Sequence, residues 1–528
     1  MALEALKRLE HRGAKGLEPF SGDGAGILTE IPFKLLGYES NRIAVGQVFL
    51  PQNRAKAKEC LDLIKETFED FYLKIIEKRD VPIQADKLSS SARESSPSIV
   101  QLIIDRPSHC RTLSSFDKLL YHAKQMTRTR LREAKIFQGV FFCSLSSQTI
   151  VYKALCDSET LPEFYPDLLN ETFQSRFALI HRRFSTNTSP SWDKVQPFRL
   201  TAHNGEINTI AGNRSWAVTR ERALGLRTDE LLKHSGSSDS GNFNEIVEAL
   251  KHRSSITYTD EILSILLPPA NTNSYYKFWG RAMEPWDGPA LIAYADGKHI
   301  GARLDRNGFR PCRWARSKRF FYLASETGAF PLESDDILER GALSAGEGVS
   351  LNTKNGRIHF EDPSQNVHNQ GVEFDSRTKE LERSPSRRKE AEQTHKKDLF
   401  GFTYEDFHKV IYPTLAQGKE PIGSMGDTAR LAVLSNLTRP LSDFCYHHFA
   451  QVTNPPLDFL RERNVTDLKA LLGRKPNIFE PKELIPPQFA YTLKSPVLSL
   501  GQLEELTELF HNKEKSEKAG ENPPLRGT

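Results

Sequence analysis

Tryptophan, methionine and cysteine are scarce in this chain, with 5, 4 and 6 copies among 528 residues. The cysteines, Cys60, Cys110, Cys143, Cys156, Cys312 and Cys445, are scattered. They form no C-x-x-C pair and no repeated Cys/His spacing, which argues against a zinc or iron–sulfur site built from this chain. Reduced, buried thiols in a cytoplasmic protein are the plain reading. No long uncharged apolar run occurs and the mean hydropathy is −0.51, so a membrane-spanning helix is excluded. The opening Met1-Ala-Leu-Glu-Ala-Leu-Lys-Arg lacks the basic, apolar, small-residue order of a secretory signal. The sequons at Asn170, Asn187 and Asn436 therefore read as chance matches. Nor does one charge dominate. Lys+Arg 72 against Asp+Glu 68 gives +4, too even a balance for a nucleic-acid binder.

What the chain does have is length and apolar material. With 38% hydrophobic residues and 31 Phe it can bury cores, and its length predicts two to four domains. Ala2, Ala5, Leu6 and Leu9 lie at helical spacing before Gly13, predicting a helix over 2–12. A domain seldom opens abruptly on such a helix. The spacing from Pro51 to Lys78 predicts a second helix, and the Ser-rich 89–98 a surface loop. Strands are predicted at 99–104, 140–145, 149–152, 177–186 and 198–207. Between Pro289 and Glu326, runs at 290–295, 299–304, 311–316 and 319–325 are parted by Asp296-Gly297, Arg306-Asn307-Gly308 and Arg316-Ser317-Lys318. These are hairpin signals, and they predict one antiparallel meander. Residues 361–398 read as a charged, solvated linker. A second domain is expected over 399–510, with a frayed tail at 511–528.

Four clusters hold side chains fit for chemistry. Ser21-Gly-Asp-Gly-Ala-Gly26 lets backbone approach a ligand, but lacks the Lys-Ser/Thr of a phosphate loop, so a tight turn entering a strand is preferred. In His181-Arg-Arg-Phe-Ser-Thr-Asn-Thr188 an arginine at a strand end can grip a carboxylate, or merely make a surface ion pair. In Thr201-Ala-His-Asn-Gly-Glu-Ile-Asn208, Asn204-Gly205 can offer two N–H groups to an oxyanion, or simply form a turn. In Ser237-Ser-Asp-Ser240, Asp239 is a carboxylate before a helix and, taken alone, an N-cap.

Taken in order, the segments HRGA (11–14), GDGAGI (22–27), HRRFSTNT-SPSW (181–192), AHNGEINT (202–209), SDS (238–240), MEPWDGPA (283–290), LDRNGFRP (304–311) and ASE (324–326) closely resemble one domain. It is the class II glutamine amidotransferase domain of the glutamate synthase large subunit. GKEPIGSMGD (418–427) and FAQVTNPPLD (449–458) resemble the opening of that enzyme's central domain. The resemblance covers about residues 2–500, least at 53–98 and the linker. It implies an α+β, N-terminal-nucleophile hydrolase-like αββα sandwich over 1–360, with two antiparallel sheets between helical layers, followed by a partial α/β central domain. The 289–326 meander would supply strands to one sheet and 177–207 to the other.

The resemblance also implies a chemistry, in which glutamine is hydrolysed to glutamate and ammonia. A terminal cysteine is the nucleophile, and its own α-amine, with a free pKa of roughly 7.7–8.0, is the base. By motif, Asn204 and Gly205 correspond to the oxyanion hole, Arg183 to the carboxylate clamp and Asp239 to the acceptor of the substrate ammonium. In the family the nucleophile opens a strand segment preceding the helix at which this sequence starts. Cys60, in a helix and without a free amine, cannot replace it, so the chain as written is expected to be inactive. In the parent enzyme, ammonia reaches a barrel with FMN and an iron–sulfur cluster, where 2-oxoglutarate is aminated with electrons from a further subunit or ferredoxin. No cofactor is expected in this chain itself, nor a nucleic acid or membrane partner. The alternative is a non-catalytic glutamine-binding or assembly module with the same fold.

Overall fold

Leu6 and Leu9 give the first helix its inward stripe. In the computed structural model α1 runs Ala2–Arg8, and one 3-10 turn carries the chain through Arg12. Residues 1–183, 190–227, 230–232, 236–270, 274–361, 378–380, 402–418, 470–473, 477–480, 490–493 and 498–518 are described. The glycine-rich turn opens directly into β1 (Ala25–Glu30), as expected, and a short α2 (Phe33–Leu36) leads into β2 (Ile43–Leu50).

The helix expected over 51–78 stops earlier, as α3 (Arg54–Asp70). Asn53 caps it, its Oδ1 accepting from the Ala55 and Lys56 N–H groups, and Cys60, Ile64 and Phe68 form the buried stripe. Tyr72 then takes a left-handed φ of 57°, and Lys74–Asp80 form edge strand β3. Ile75-Ile76 matched a helical spacing by coincidence; a β-branched pair fits a pleated strand better. The 89–98 stretch is likewise more ordered than a loop. Ser89 caps α4 (Ser90–Glu94), and β4 (Ser98–Asp105) begins within it. α5 (Leu113–Glu133) starts on a Thr112/Ser115 capping box. β5 (Phe141–Ser146) completes an antiparallel sheet ordered β3-β4-β2-β5. Phe68 of α3 with Phe116 and Leu120 of α5 pack on its face at Val48, Val100 and Phe142. Each such side chain buried stabilises the fold by about 1.5–3 kcal/mol.

β6 (Thr149–Ala154), α6 (Thr160–Phe164) and β7 (Ala178–Arg182) follow. β1 is the centre of a three-stranded antiparallel sheet β6-β1-β7, with Ile27 opposite Tyr152 and Ile180. Next come β8 (Thr201–Gly205), α7 (Ile210–Ala223), α8 (Asp239–Arg253), α9 (Thr259–Leu266) and α10 (Ser274–Ala282). β9 (Ala290–Ala295), β10 (His299–Leu304), β11 (Arg313–Arg316), β12 (Phe321–Ala324), β13 (Glu339–Ala342), β14 (Gly348–Asn352) and β15 (Ile358–Glu361) close this unit's strands.

The β9–β10 and β11–β12 hairpins form at the expected turns, but the four strands do not share a sheet. β9 and β10 belong to β15-β14-β10-β9-β8, whereas β11 and β12 join β13. Asp305 divides them. Its carboxylate accepts from the Ala290 and Asn307 N–H groups, turning the chain away after β10, whose free side is taken by β14. Residues 177–207 are divided too: β7 pairs with β1, and β8 pairs with β9. Every strand pairing among the described residues of this unit is antiparallel.

Ile246, Leu250, Ile262 and Leu266 of α8 and α9 pack with Ala290, Ile292 and Tyr294 on one face of the five-stranded sheet. From that sheet, Ala295 and Ile300 enter the core shared with Ile27 of β1 and Val151 of β6. Antiparallel sheets thus lie inside, with α8 and α9 on one outer face and α3 and α5 on another. This is the expected α+β αββα arrangement.

Two compact units divide the chain. The first is Met1–Thr378 with Asp458–Asp467 and Gly473–Ala490, and Ile478 and Phe479 of its later part join the α8 core. The second contains α11 (Tyr412–Gln417), α12 (Leu500–Lys518) and, but for one terminal residue of each, β16 (Thr378–Glu380), β17 (Ala470–Gly473) and β18 (Ala490–Leu493), which form a three-stranded sheet β16-β18-β17. α12 runs into the tail expected to fray, in keeping with its Glu and Lys content. Most of the expected linker, both central-domain motifs and Cys445 lie outside the described residues. No described helix is long and apolar enough to cross a membrane.

Candidate active site

Between the β6-β1-β7 and β8–β10 strands lies a cavity of about 1650 Å³. Ile27, Ile180, Leu291, Ala293 and Ile300 line it, and so do all four expected site residues, Arg183, Asn204, Gly205 and Asp239. The structure therefore gathers three chain segments read separately in the sequence.

β8 delivers Asn204 and Gly205 at its end. Gly205 has φ 143°, and a Cβ there would stand 1.9 Å from the Pro289 carbonyl oxygen, so no side chain fits. The turn reading and the oxyanion reading both survive this, since a close backbone approach is what exposes an N–H pair. The half-buried Asn204 amide has no hydrogen-bond partner among the described residues. The preceding His203 anchors the strand. Its N–H donates to Gln196 Oε1 (2.7 Å), its carbonyl accepts from Gln196 Nε2 (3.1 Å), and its Nδ1 lies 2.8 Å from Ser240 Oγ. Burial pushes the His203 pKa down, against the attraction of Asp239.

Asp239 is not the cap of α8. Ser238 is, its Oγ accepting from the Gly241 N–H at 3.0 Å. Asp239 is the first helical residue, where a carboxylate gains from the helix dipole. Its Oδ2 accepts from the Ile207 N–H (3.0 Å) and its Oδ1 from the Ser240 N–H (2.7 Å), which fixes it beside β8.

Arg183 directly follows β7 and has φ 83°, a left-handed conformation costing a bulky residue on the order of 1–3 kcal/mol. Its N–H donates to the Gly24 carbonyl (2.9 Å) and its Nη1 to the Arg12 carbonyl (3.4 Å). Residues 184–189 of the same motif lie outside the described residues. The neighbouring Arg182 turns inward to Glu10 and Asp23. Burial alone would raise the Glu10 pKa, but hydrogen bonds from Arg182 and Ser158 bring it to about 2.

The remaining motifs support this site from behind. Glu326 of ASE pairs with His11 and Arg12 of HRGA. Asp287 of MEPWDGPA accepts the Asn208 N–H at its carbonyl (2.8 Å) and Arg306 Nη2 at its carboxylate (2.6 Å). Sequence reading missed His203, Arg182 and the cavity-lining Glu206, though all three stand next to residues it singled out. Adjacency in a motif was the available signal.

The five described cysteines are free and buried. Cys312 alone among them lines the cavity, and burial pushes its thiol up to about 12, as it does that of Cys143. Burial also raises Cys60, Cys110 and Cys156. Such thiols are poor nucleophiles at neutral pH. Among the described residues no group of three or more His, Cys, Asp or Glu is arranged to hold a metal ion.

Comparison with known proteins places this geometry. The profile described as "Glutamine amidotransferases class-II" matches residues 1–374, and "Glutamate synthase central domain" matches 395–521. Ferredoxin-dependent glutamate synthase 2, chloroplastic, of Arabidopsis thaliana is 37% identical over 96% of this chain and 33% of its own length. The glutamate synthase [NADPH] large chain of Bacillus subtilis is 34% identical over 98% of this chain and 36% of its own. The chain thus spans about a third of the length of these curated relatives. A solved glutamine PRPP amidotransferase from B. subtilis, 14% identical, covers 61% of this chain and 50% of its own at a TM-score of 0.28, too slight a likeness to add to the fold assignment. With most of its length matched by that first profile, and the cavity built from that profile's segment, the chain belongs to the class II glutamine amidotransferases.

Proposed function

We propose that the cavity is the glutamine site of a glutamate synthase-type amidotransferase. The observation that carries this is the convergence of Arg183, Asn204, Gly205 and Asp239, from three separate segments, on one cavity. Arg183 takes the α-carboxylate of glutamine as a planar fork. Asp239 takes the α-ammonium. Asn204 Nδ2–H and Gly205 N–H receive the oxyanion that forms when a thiolate adds to the side-chain amide carbon. Collapse of that adduct leaves a thioester and releases ammonia, which carries off a proton delivered by the α-amine. Water then cleaves the thioester to glutamate.

The nucleophile is a cysteine bearing a free α-amine, brought on an extended segment preceding α1. β7 ends its sheet as an edge strand, and both of its faces line the cavity, so an added strand has both room and a partner there. The 528-residue polypeptide, with only buried high-pKa thiols described, is the binding and oxyanion half of the reaction and does not turn over. In the whole enzyme the ammonia goes to 2-oxoglutarate at an FMN and iron–sulfur domain, with electrons from ferredoxin or a pyridine-nucleotide-linked subunit. None of the chemistry assigned to the described residues passes through those cofactors. Domains of 1–360 and 399–510 joined by a linker, in the cytoplasm or a plastid, complete the reading.

The test uses a polypeptide carrying a cysteine-initiated segment ahead of Met1. In it, Arg183→Ala raises KM with kcat little changed, while Asn204→Ala lowers kcat by about 10²–10³-fold with KM little changed. The reverse partition contradicts the assignment.

A further inference from the structure

We propose that Asp23, in the glycine-rich turn before β1, is a positioning residue that holds the Arg183 guanidinium in place to receive the α-carboxylate of glutamine. The proposal deepens, and rests on, the reading of Arg183 as the carboxylate clamp.

Asp23 is buried and its two oxygens have different company. Oδ1 accepts from Arg182 Nη1 at 2.6 Å and from the Ala14 N–H at 3.2 Å, which fixes the carboxyl plane. Oδ2 faces Arg183, 3.7 Å from its Nε. Arg182 does not need that second oxygen. Its Nε and Nη2 already donate to Glu10, and its Nη1 also reaches the Gly24 carbonyl at 3.1 Å. The same turn also holds the Arg183 backbone, through the bond from its N–H to the Gly24 carbonyl. A left-handed arginine persists only where its surroundings over-determine it, and here one turn grips both its backbone and its side chain. Steadying the guanidinium from its Nε side, with Nη1 resting at 3.4 Å from the Arg12 carbonyl, presents Nη2 and the outer edge of Nη1 to a carboxylate. This gives the Ser21–Gly26 segment a function beyond turning the chain.

The experiment compares two ligands by calorimetry on the full 528-residue chain: glutamine, and 4-aminobutanamide, which is glutamine without its α-carboxylate. Asp23→Asn weakens glutamine about tenfold and leaves 4-aminobutanamide within twofold, because only the carboxylate contact is misaligned. Arg183→Ala gives the same selective loss. Glu10→Gln, which loosens Arg182 but not Arg183, lowers the melting temperature and leaves the ratio of the two affinities unchanged. If Asp23→Asn weakens both ligands alike, or neither, while Arg183→Ala is selective, the proposal fails and the clamp reading stands. If Arg183→Ala is not selective, or the wild type binds no glutamine, the reading of the site fails and takes the proposal with it. Should Asp23→Asn lose its near-UV circular dichroism, Asp23→Ser is read by the same ratio; failure of both to fold makes Asp23 a folding residue only and overturns the proposal.

Discussion

Glu248 holds two cations together behind the site. Its carboxylate accepts from Arg199 Nε at 2.7 Å and from Lys124 Nζ at 2.9 Å, all three side chains being buried. Burial alone would raise its pKa, but Arg199 and Lys124 outweigh burial and bring it to about 2. The folded value lies below the unfolded one, so this carboxylate contributes fully above about pH 4.5 and is lost as pH falls toward 2. Glu248→Gln leaves the Arg199 guanidinium buried without its counter-charge, while Lys124, whose pKa burial lowers to about 7, can shed its proton; the change is expected to cost about 3–5 kcal/mol. Denaturant unfolding at neutral pH measures it, with Glu4→Gln as comparison. The exposed Glu4–Arg8 pair is of the kind worth only about 0.3–0.5 kcal/mol, and equal losses in the two variants would contradict the account.

β8 and the start of α8 carry the site, and β8 tolerates little change. Gly205→Ala would drive a Cβ into the Pro289 carbonyl, whereas Gly225→Ala, also at positive φ, meets nothing within 4 Å. Gly225→Ala is expected to cost on the order of 1–3 kcal/mol from backbone strain alone. Gly205→Ala should cost more and abolish glutamine binding, as read by thermal unfolding and calorimetry; similar behaviour of the two would argue against a forced backbone approach at Gly205. Much at this scale was legible in the sequence. Asp296-Gly297 marks the β9–β10 hairpin because its chemistry is local. The apolar spacing located α3 but not its ends: the stretch expected over 51–78 forms Arg54–Asp70, capped by Asn53, and Ile75 beyond it fits both periods. What local pattern cannot carry is which strand pairs with which. β8 joins β9 across some 85 residues, and β7, only about 20 residues before β8, lies in another sheet. Asp239 illustrates the same limit: Ser238 and Asp239 both suit a cap, and only the Ile207 N–H, brought in by the fold, shows that the Asp239 carboxylate turns toward the end of β8 and leaves the cap to Ser238.

For the whole molecule, the candidate residues could be named from ordered motifs, but the cavity they line could not, since it is a space between sheets rather than a property of any segment. The central claim is that this cavity activates the glutamine side-chain amide and takes its nucleophile from a cysteine with a free α-amine, not from any thiol described here. Without a nucleophile, an oxyanion hole and substrate clamp retain only roughly 10³–10⁴-fold over water, below detection for an amide. The direct measurement is ammonia release from glutamine by the 528-residue polypeptide, beside the same polypeptide with the cysteine-initiated segment ahead of Met1. Release by the extended polypeptide, abolished when its leading cysteine becomes serine, with none from the unextended one, is the predicted result. Release by the unextended polypeptide that Asn204→Ala abolishes would show that the nucleophile lies within these residues, and would contradict the account.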